Sequence, residues 1–285
     1  MRAVKPIRPT LLALCAPVAV LVILAGCGQG GSGGEPQPLN LELTESGDKA
    51  SYSGAPQEVP AGLARISLKN DGKGPHDAQL IRVDGEHSAQ DVMRAIGAAT
   101  EGGPIPGWLH PAGGVGTAGP GQTATAVQPL REGTHHILDS ASEDPSKGAQ
   151  ATFEVEGGGG DVEPPEAAAT VTASEYKFET SGLKPGQNWV RFENAGQEPH
   201  HVVMGPIKPG KTIDDVRQFA RTQKGEDPLG GDEKFVATAV LEGGMSQLVD
   251  FTLEKGKYAA LCFITDRKGG PPHVAKGMVM EVDVQ

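Results

Sequence analysis

Thiols are scarce. Three cysteines in 285 residues, Cys15, Cys27 and Cys262, cannot build the disulfide framework of a small secreted scaffold. Aromatic residues make up only 4% of the chain, and beyond the N-terminus no apolar run is long enough to cross a bilayer as a helix. Cations are outnumbered, 25 Lys and Arg against 36 Asp and Glu, and the net charge of −11 argues against nucleic acid or an anionic lipid surface as the main partner. No His-x-His pair and no His-Glu-x-x-His occurs, so neither a multi-histidine metal cluster nor a zinc-protease helix is written in the chain. What is present is a 37% hydrophobic complement, enough for a core, together with 41 Gly and 23 Pro that imply many turns. The length suits about two domains.

The first 26 residues read as an export signal: Arg2, Lys5 and Arg8 form a positive head, and residues 11–25 form an apolar run ending in small side chains. Its end, Leu24-Ala25-Gly26-Cys27, resembles the bacterial lipobox, in which cleavage precedes the cysteine and the thiol carries a diacylglycerol. That resemblance implies lipidation at Cys27 and a chain anchored on the extracytoplasmic face of a bacterial membrane. Losing residues 1–26 removes three cations and no anion, so the exported part is more acidic than the whole. Cys15 leaves with the signal and Cys27 is acylated, which makes Cys262 the one free thiol. In an oxidising compartment such a thiol is expected to be buried or metal-bound.

Residues 27–38, rich in Gly and Ser, read as a flexible tether, and residues 157–167 as a linker between two pieces, 39–156 and 168–285. At an offset of 124, Gly62, Asn70, Gly72, Pro75 and His76 fall on Gly186, Asn194, Gly196, Pro199 and His200. A period near 120 residues points to tandem globular domains rather than a solenoid. Alternating, β-branched segments at 62–68, 151–155, 188–192, 248–253, 258–264 and 277–284, bounded by Gly, Pro and Asn, predict sandwich strands. Ser88-Ala89-Gln90-Asp91 and Thr212-Ile213-Asp214-Asp215 each set a hydroxyl three residues before a carboxylate, a capping box that opens a helix. Behind the second cap, Ile213, Val216, Phe219 and Ala220 recur at helical spacing. The expected fold is all-β: two tandem β-sandwich domains of Greek-key type, each with one short inserted helix.

The C-terminal piece holds Asn194-Ala195-Gly196-Gln197-Glu198-Pro199-His200-His201, and later Cys262-x10-His273-x4-Met278. Here the sequence resembles the cupredoxins, the plastocyanin and azurin family. That resemblance implies a cupredoxin-like sandwich for both pieces and one copper ion held by His200, Cys262, His273 and Met278 in the second. His201 and Asn194 would support these ligands. A thiolate and two imidazoles in a plane with a distant thioether suit both copper oxidation states, so an electron moves with little ligand rearrangement. Read singly, Cys262 is a small core residue, His273 a loop residue and Met278 a strand residue; their order and spacing together favour a metal. His-x4-Met agrees with the family, whereas Cys-x10-His is longer than in plastocyanin, and Gly269-Gly270-Pro271-Pro272 predicts a turn projecting outward. Met204, Met245 and Met280 read as packing residues.

The N-terminal piece keeps His76 but has Asp139 where Cys262 stands and Ala149 where Met278 stands. It reads as a degenerate copy that supports the other, with His110, His135 and His136 in surface or loop roles. Leu261 and Phe263 flank Cys262 where multicopper enzymes place relay histidines, so no enzyme activity is expected. The favoured expectation is a membrane-anchored electron carrier serving an unidentified redox or copper-trafficking protein. Copper sequestration or delivery, or a metal-free cupredoxin-like binding module, are the alternatives.

Overall fold

Apolar and polar residues alternate along most strands, and the alternation decides which face each strand buries. In the computed structural model, which describes residues 35–142, 147–157, 162–231 and 234–285, strand β1 (Gln37–Ser46) buries Leu39, Leu41 and Leu43 and exposes the residues between them. It is followed by β2 (Lys49–Ser53), β3 (Glu58–Pro60), β4 (Gly62–Asn70), β5 (His76–Val83), helix α1 (Ala89–Thr100), β6 (Leu109–Ala118), β7 (Thr123–Leu130), β8 (Gly133–Leu138) and β9 (Gln150–Glu156). The C-terminal half contains β10 (Ala169–Ser174), β11 (Lys177–Ser181), β12 (Gly186–Asn194), β13 (Val203–Pro206), helix α2 (Ile213–Thr222), β14 (Val236–Ala237), β15 (Ser246–Leu253), β16 (Gly256–Leu261) and β17 (Val279–Val284). The expected signal segment and Cys27 lie outside the described residues.

The two halves follow parallel courses. In the first, β2, β1, β4 and β7 form one layer, and β3, β9, β8, β5 and β6 the other; in the second, β11, β10, β12 and β15 face β14, β13, β16 and β17. β7 pairs antiparallel with β15, Val127 opposite Leu248 and Ala126 opposite Val249, which joins the first layers into one eight-stranded sheet. The halves therefore share a sheet, and residues 35–285 form one compact unit. At Gly116 the backbones approach so closely that a Cβ would lie 1.7 Å from the Ala237 carbonyl oxygen. Only glycine fits there.

Both helices begin where the capping boxes predict. Ser88 Oγ accepts from Asp91 N–H at 3.2 Å and Asp91 Oδ2 accepts from Ser88 N–H at 2.9 Å; Thr212 and Asp215 repeat the exchange at 3.3 and 2.7 Å. α2 lays Val216 against Ala259, Leu261, Val274 and Val279, with Ile213 and Ala220 packed alongside. Tyr258, Ala260 and Cys262 face the sandwich interior. Period-two alternation thus sends Cys262 inward and its neighbour Leu261 towards the helix.

Three of the boundaries that differ from expectation have a clear local cause. The tether yields Gln37 and Pro38 to β1, because β4 offers them a parallel edge opposite Ala64 and Arg65. The strand expected over 258–264 stops at Leu261, since the chain must turn there to present Cys262. The strand expected from 277 begins at Val279, after turns closed by Lys276 N–H to His273 O and Gly277 N–H to Val274 O.

Candidate metal centre

The loop between β12 and β13 is built around one buried amide. Asn194 Nδ2 donates to Glu198 O at 2.8 Å and to Leu241 O at 3.0 Å, while its Oδ1 accepts from Gly196 N–H at 3.0 Å. Asn70 does the same in the first half, donating to Gly74 O at 2.9 Å and Ala118 O at 2.8 Å and accepting from Gly72 N–H at 2.8 Å. The Asn-x-Gly spacing is thus a loop-folding device, and only the histidine that ends the loop, His200, faces the chemistry. His200 is placed by a two-way backbone bridge with Leu241, at 3.1 and 2.9 Å.

Cys262 leaves the end of β16, and the returning loop is stitched back to it. Val274 N–H donates to Cys262 O at 2.7 Å, His273 N–H to Ile264 O at 2.8 Å, and Met278 N–H to His273 O at 2.9 Å. As a result Cys262 Sγ lies 3.7 Å from His200 Nδ1 and 3.5 Å from His273 Nδ1, and the two Nδ1 atoms are 3.0 Å apart. Among the described residues this is the only group of three such donors gathered closely enough to hold a metal. Met278 completes the group, and all four side chains are fully buried.

The donor set fits copper. Bonds of about 2.0 Å to nitrogen and about 2.3 Å to sulfur keep trigonally arranged donors roughly 3.5–3.8 Å apart; both sulfur–nitrogen separations fall in that range, and the 3.0 Å between the nitrogens is shorter. His273 Nε2 lies 2.9 Å from Asp266 Oδ1, a carboxylate acceptor that holds the proton on Nε2 and leaves the Nδ1 lone pair facing the group. His200 Nε2 is buried with no partner, so no other bond competes for the orientation of that ring.

Electrostatics agree. Burial pushes the Cys262 thiol up to about 12, against the pull of backbone N–H groups of His201 and Ile264. Burial, with His273 nearby, lowers His200 to about 4, and burial lowers His273 as well despite Asp266. The pocket holds neutral imidazoles, which are ready ligands, and a thiol that only a cation would make a stable thiolate. His201 is lowered to about 3 by burial; its Nε2 accepts from Phe263 N–H at 3.0 Å, and it supports the turn beside Cys262 rather than offering a donor.

Sequence reasoning missed the roof of the site. Tyr176 stands edge-on to the His273 ring at 5.3 Å and donates to both oxygens of Asp266, at 3.1 and 3.2 Å. Lys276 pairs with the same carboxylate and donates to Tyr176 Oη at 3.2 Å. Burial raises Asp266, but Lys276, Tyr176 and His273 outweigh it and hold the carboxyl below its usual range. No spacing rule links Tyr176, in a hairpin turn, to a loop about ninety residues later. Sequence reasoning also passed over Gly205-x4-Gly210-Lys211-Thr212, which spells a phosphate loop between β13 and α2. The structure closes that site: Asp215 fills the helix N-terminus and Lys211 pairs with Glu226 at 3.2 Å.

The remaining expectations need correction. His110, His135 and His136 do not occupy loops: His110 lies in β6, and His135 and His136 are buried in β8. His136 spans Thr152 Oγ1 at 2.9 Å and His87 O at 2.8 Å, and His135 stacks on Phe153. They are strand residues because the β8 alternation continues through them. In place of a copper site the first half holds His76 between Asp139 Oδ2 at 2.7 Å and Glu45 Oε1 at 2.9 Å. Nor does the 269–272 turn project outward: Gly270 N–H donates to Gly102 O at 2.9 Å, against the N-terminal half.

No protein-family model matches the chain, and no curated protein sequence is similar to it. Solved structures do resemble it. Reduced auracyanin from the photosynthetic bacterium Roseiflexus castenholzii is 24% identical, with a TM-score of 0.28, over 41% of this chain and 94% of its own. The copper nitrite reductase from Nitrosomonas europaea is 13% identical, with a TM-score of 0.28, over 88% and 94%. A multicopper oxidase is 15% identical, with a TM-score of 0.26, over 87% and 88%. Scores this low leave the weight on the chain's own strand order and donor set. In this chain an all-β sandwich carries a His–Cys–His–Met group that fits a blue copper site.

Proposed function

We propose that the chain is a one-electron carrier, with a single copper ion held by His200, Cys262, His273 and Met278. The observation that carries this reading is the convergence of Sγ and two Nδ1 atoms within 3.0–3.7 Å in a fully buried pocket. Copper bound there would supply a centre that changes charge by one electron without demanding a new ligand set. The chain's residues do the rest. Asp266 holds the His273 proton on Nε2, Tyr176 and Lys276 hold Asp266, and the fully buried donors keep water from the site.

Full burial favours a carrier over copper delivery, since handing an ion to another protein needs a ligand that the partner can reach. Leu261 and Phe263 beside Cys262 offer no imidazole relay to further metal ions, which supports a carrier over an oxidase or reductase. Phe263 is 49% exposed and adjoins the thiol ligand. Lipidation at Cys27 would hold the carrier at the extracytoplasmic face of the membrane, and its acidic character suits a partner with a basic docking face.

Titrating the purified full chain with Cu(II) tests the reading. The expected result is an intense visible thiolate-to-copper band that vanishes in Cys262→Ser. Tight Cu(I) binding without that band would instead indicate sequestration, and failure to bind either ion would leave a metal-free binding module.

A further inference from the structure

The ten residues between Cys262 and His273 are more than a connection needs, and their contacts show what the extra length does. Arg267 lies midway. Its backbone N–H donates to Glu198 Oε2 at 2.6 Å, two residues before His200, and its carbonyl accepts from Ile105 N–H at 2.9 Å. Its guanidinium makes a two-point pair with Glu242, Nε to Oε1 at 3.0 Å and Nη2 to Oε2, and both terminal nitrogens reach Leu109 O at 3.4 Å. Glu242 follows Leu241, the residue bridged to His200, and its own N–H donates to Pro111 O at 2.9 Å. The same carboxylate faces His110 Nδ1 at 3.3 Å, whose Nε2 meets Asp84 Oδ2 at 2.8 Å.

Further along the loop, a Cβ at Gly269, which has φ of +82°, would lie 2.5 Å from Gly102 O, so the turn sits directly on backbone of the N-terminal half. On the other side of the site, the buried Gln79 side chain exchanges hydrogen bonds with Val240, accepting at 2.7 Å and donating at 3.1 Å, and Gly113 N–H donates to Val240 O at 3.0 Å. Both segments that place histidine ligands are therefore braced from the half that contributes no ligand to the site, and Arg267 with Glu242 joins the two braces. A planar, two-point pair suits this task because it sets angle as well as distance.

We propose that Arg267 is a positioning residue for the copper site: through Glu242 and Leu109 it clamps the long ligand loop to the N-terminal half and sets the separation of His273 from His200. This deepens the copper reading and rests on it. The N-terminal half thus serves as a rigid seat for the ligand loop.

The test uses the full chain with Arg267→Met, Arg267→Lys and Glu242→Gln, all checked for folding by circular dichroism. In the metal-free protein, amides of residues 263–270 should exchange with solvent at least about 10-fold faster in Arg267→Met, with partial rescue in Arg267→Lys. In the Cu(II)-loaded protein, release of copper to a chelator should quicken by roughly 10- to 100-fold, the scale typical of lost outer-sphere support, with a shift of the visible band. Unchanged amide exchange would overturn the clamp, whatever copper does. Faster exchange with unaltered copper release and spectrum would overturn the positioning role. Absence of any visible band in the wild-type chain would instead sink the copper reading, while the exchange experiment would still report on the clamp. Should Arg267→Met fail to fold, Glu242→Gln, which keeps the shape of the pair but not its charge, carries the same comparison.

Discussion

At the scale of single residues, the two halves answer the same local geometry with different chemistry. Cys262 and Asp139 each follow the last residue of a strand, β16 or β8, and each meets the histidine that ends the Asn-x-Gly loop. With a thiol there, two imidazoles and a thioether gather around it; with a carboxylate, His76 is caught between Asp139 and Glu45 as an ion pair. Burial pulls the His76 pKa down, but the bonds to Glu45 and Asp139 outweigh it and raise it. Because the folded value lies above the unfolded one, the pair's contribution is fully present below about pH 6.5 and is lost as pH rises through the folded value. His76→Leu would strand a fully buried carboxylate, and we expect it to cost about 3–5 kcal/mol in urea unfolding at pH 6, with a smaller gap from wild type at pH 9. A gap that ignores pH would show that packing, not charge, is what His76 supplies.

At the scale of elements, local sequence proved a good guide wherever the signal was local. The capping boxes at Ser88 and Thr212 located both helices because the cap is a contact between residues three apart, and period-two alternation located β4, β9, β12, β15, β16 and β17 for the same reason. Thr212→Ala should cost about 1 kcal/mol in thermal or urea unfolding, the usual value of a lost N-cap. It should leave the visible copper band unchanged, because α2 packs on Ala259, Leu261, Val274 and Val279, the side chains beside the ligands, while Cys262 and Met278 face the other cluster. A changed band would mean that the helix tunes the site as well as covering it. Loops were less legible. The 269–272 segment reads as a projecting turn because Gly and Pro mark turns without saying what they rest on, and Tyr176 carries no sign of the imidazole it covers.

At the scale of the molecule, the continuous sheet and the shared hydrogen bonds make the halves mechanically one. β7 and β15 are neighbours, Gly116 allows backbone contact that any side chain would block, and Gln79 bonds to Val240 across the junction. We therefore expect a single cooperative unfolding transition in calorimetry, with van't Hoff and calorimetric enthalpies equal, rather than two. Two separated transitions would show that the shared sheet is too weak to couple the halves, and would weaken the case for the N-terminal half as a seat for the ligand loop.

The sequence by itself determined the all-β sandwich class, the helix starts and which four side chains could gather as a donor group, because strand alternation, caps and the Asn-x-Gly and Cys-His-Met spacings are all written in residues close together along the chain. Only the tertiary structure decided that Sγ and two Nδ1 atoms meet, that Asp266 and Tyr176 hold His273, and that the long loop leans on the N-terminal half through Arg267. Those facts depend on pairings between residues tens to more than a hundred positions apart, each chosen by the burial and hydrogen bonding of the whole. No pattern within one segment records which distant partner will satisfy it.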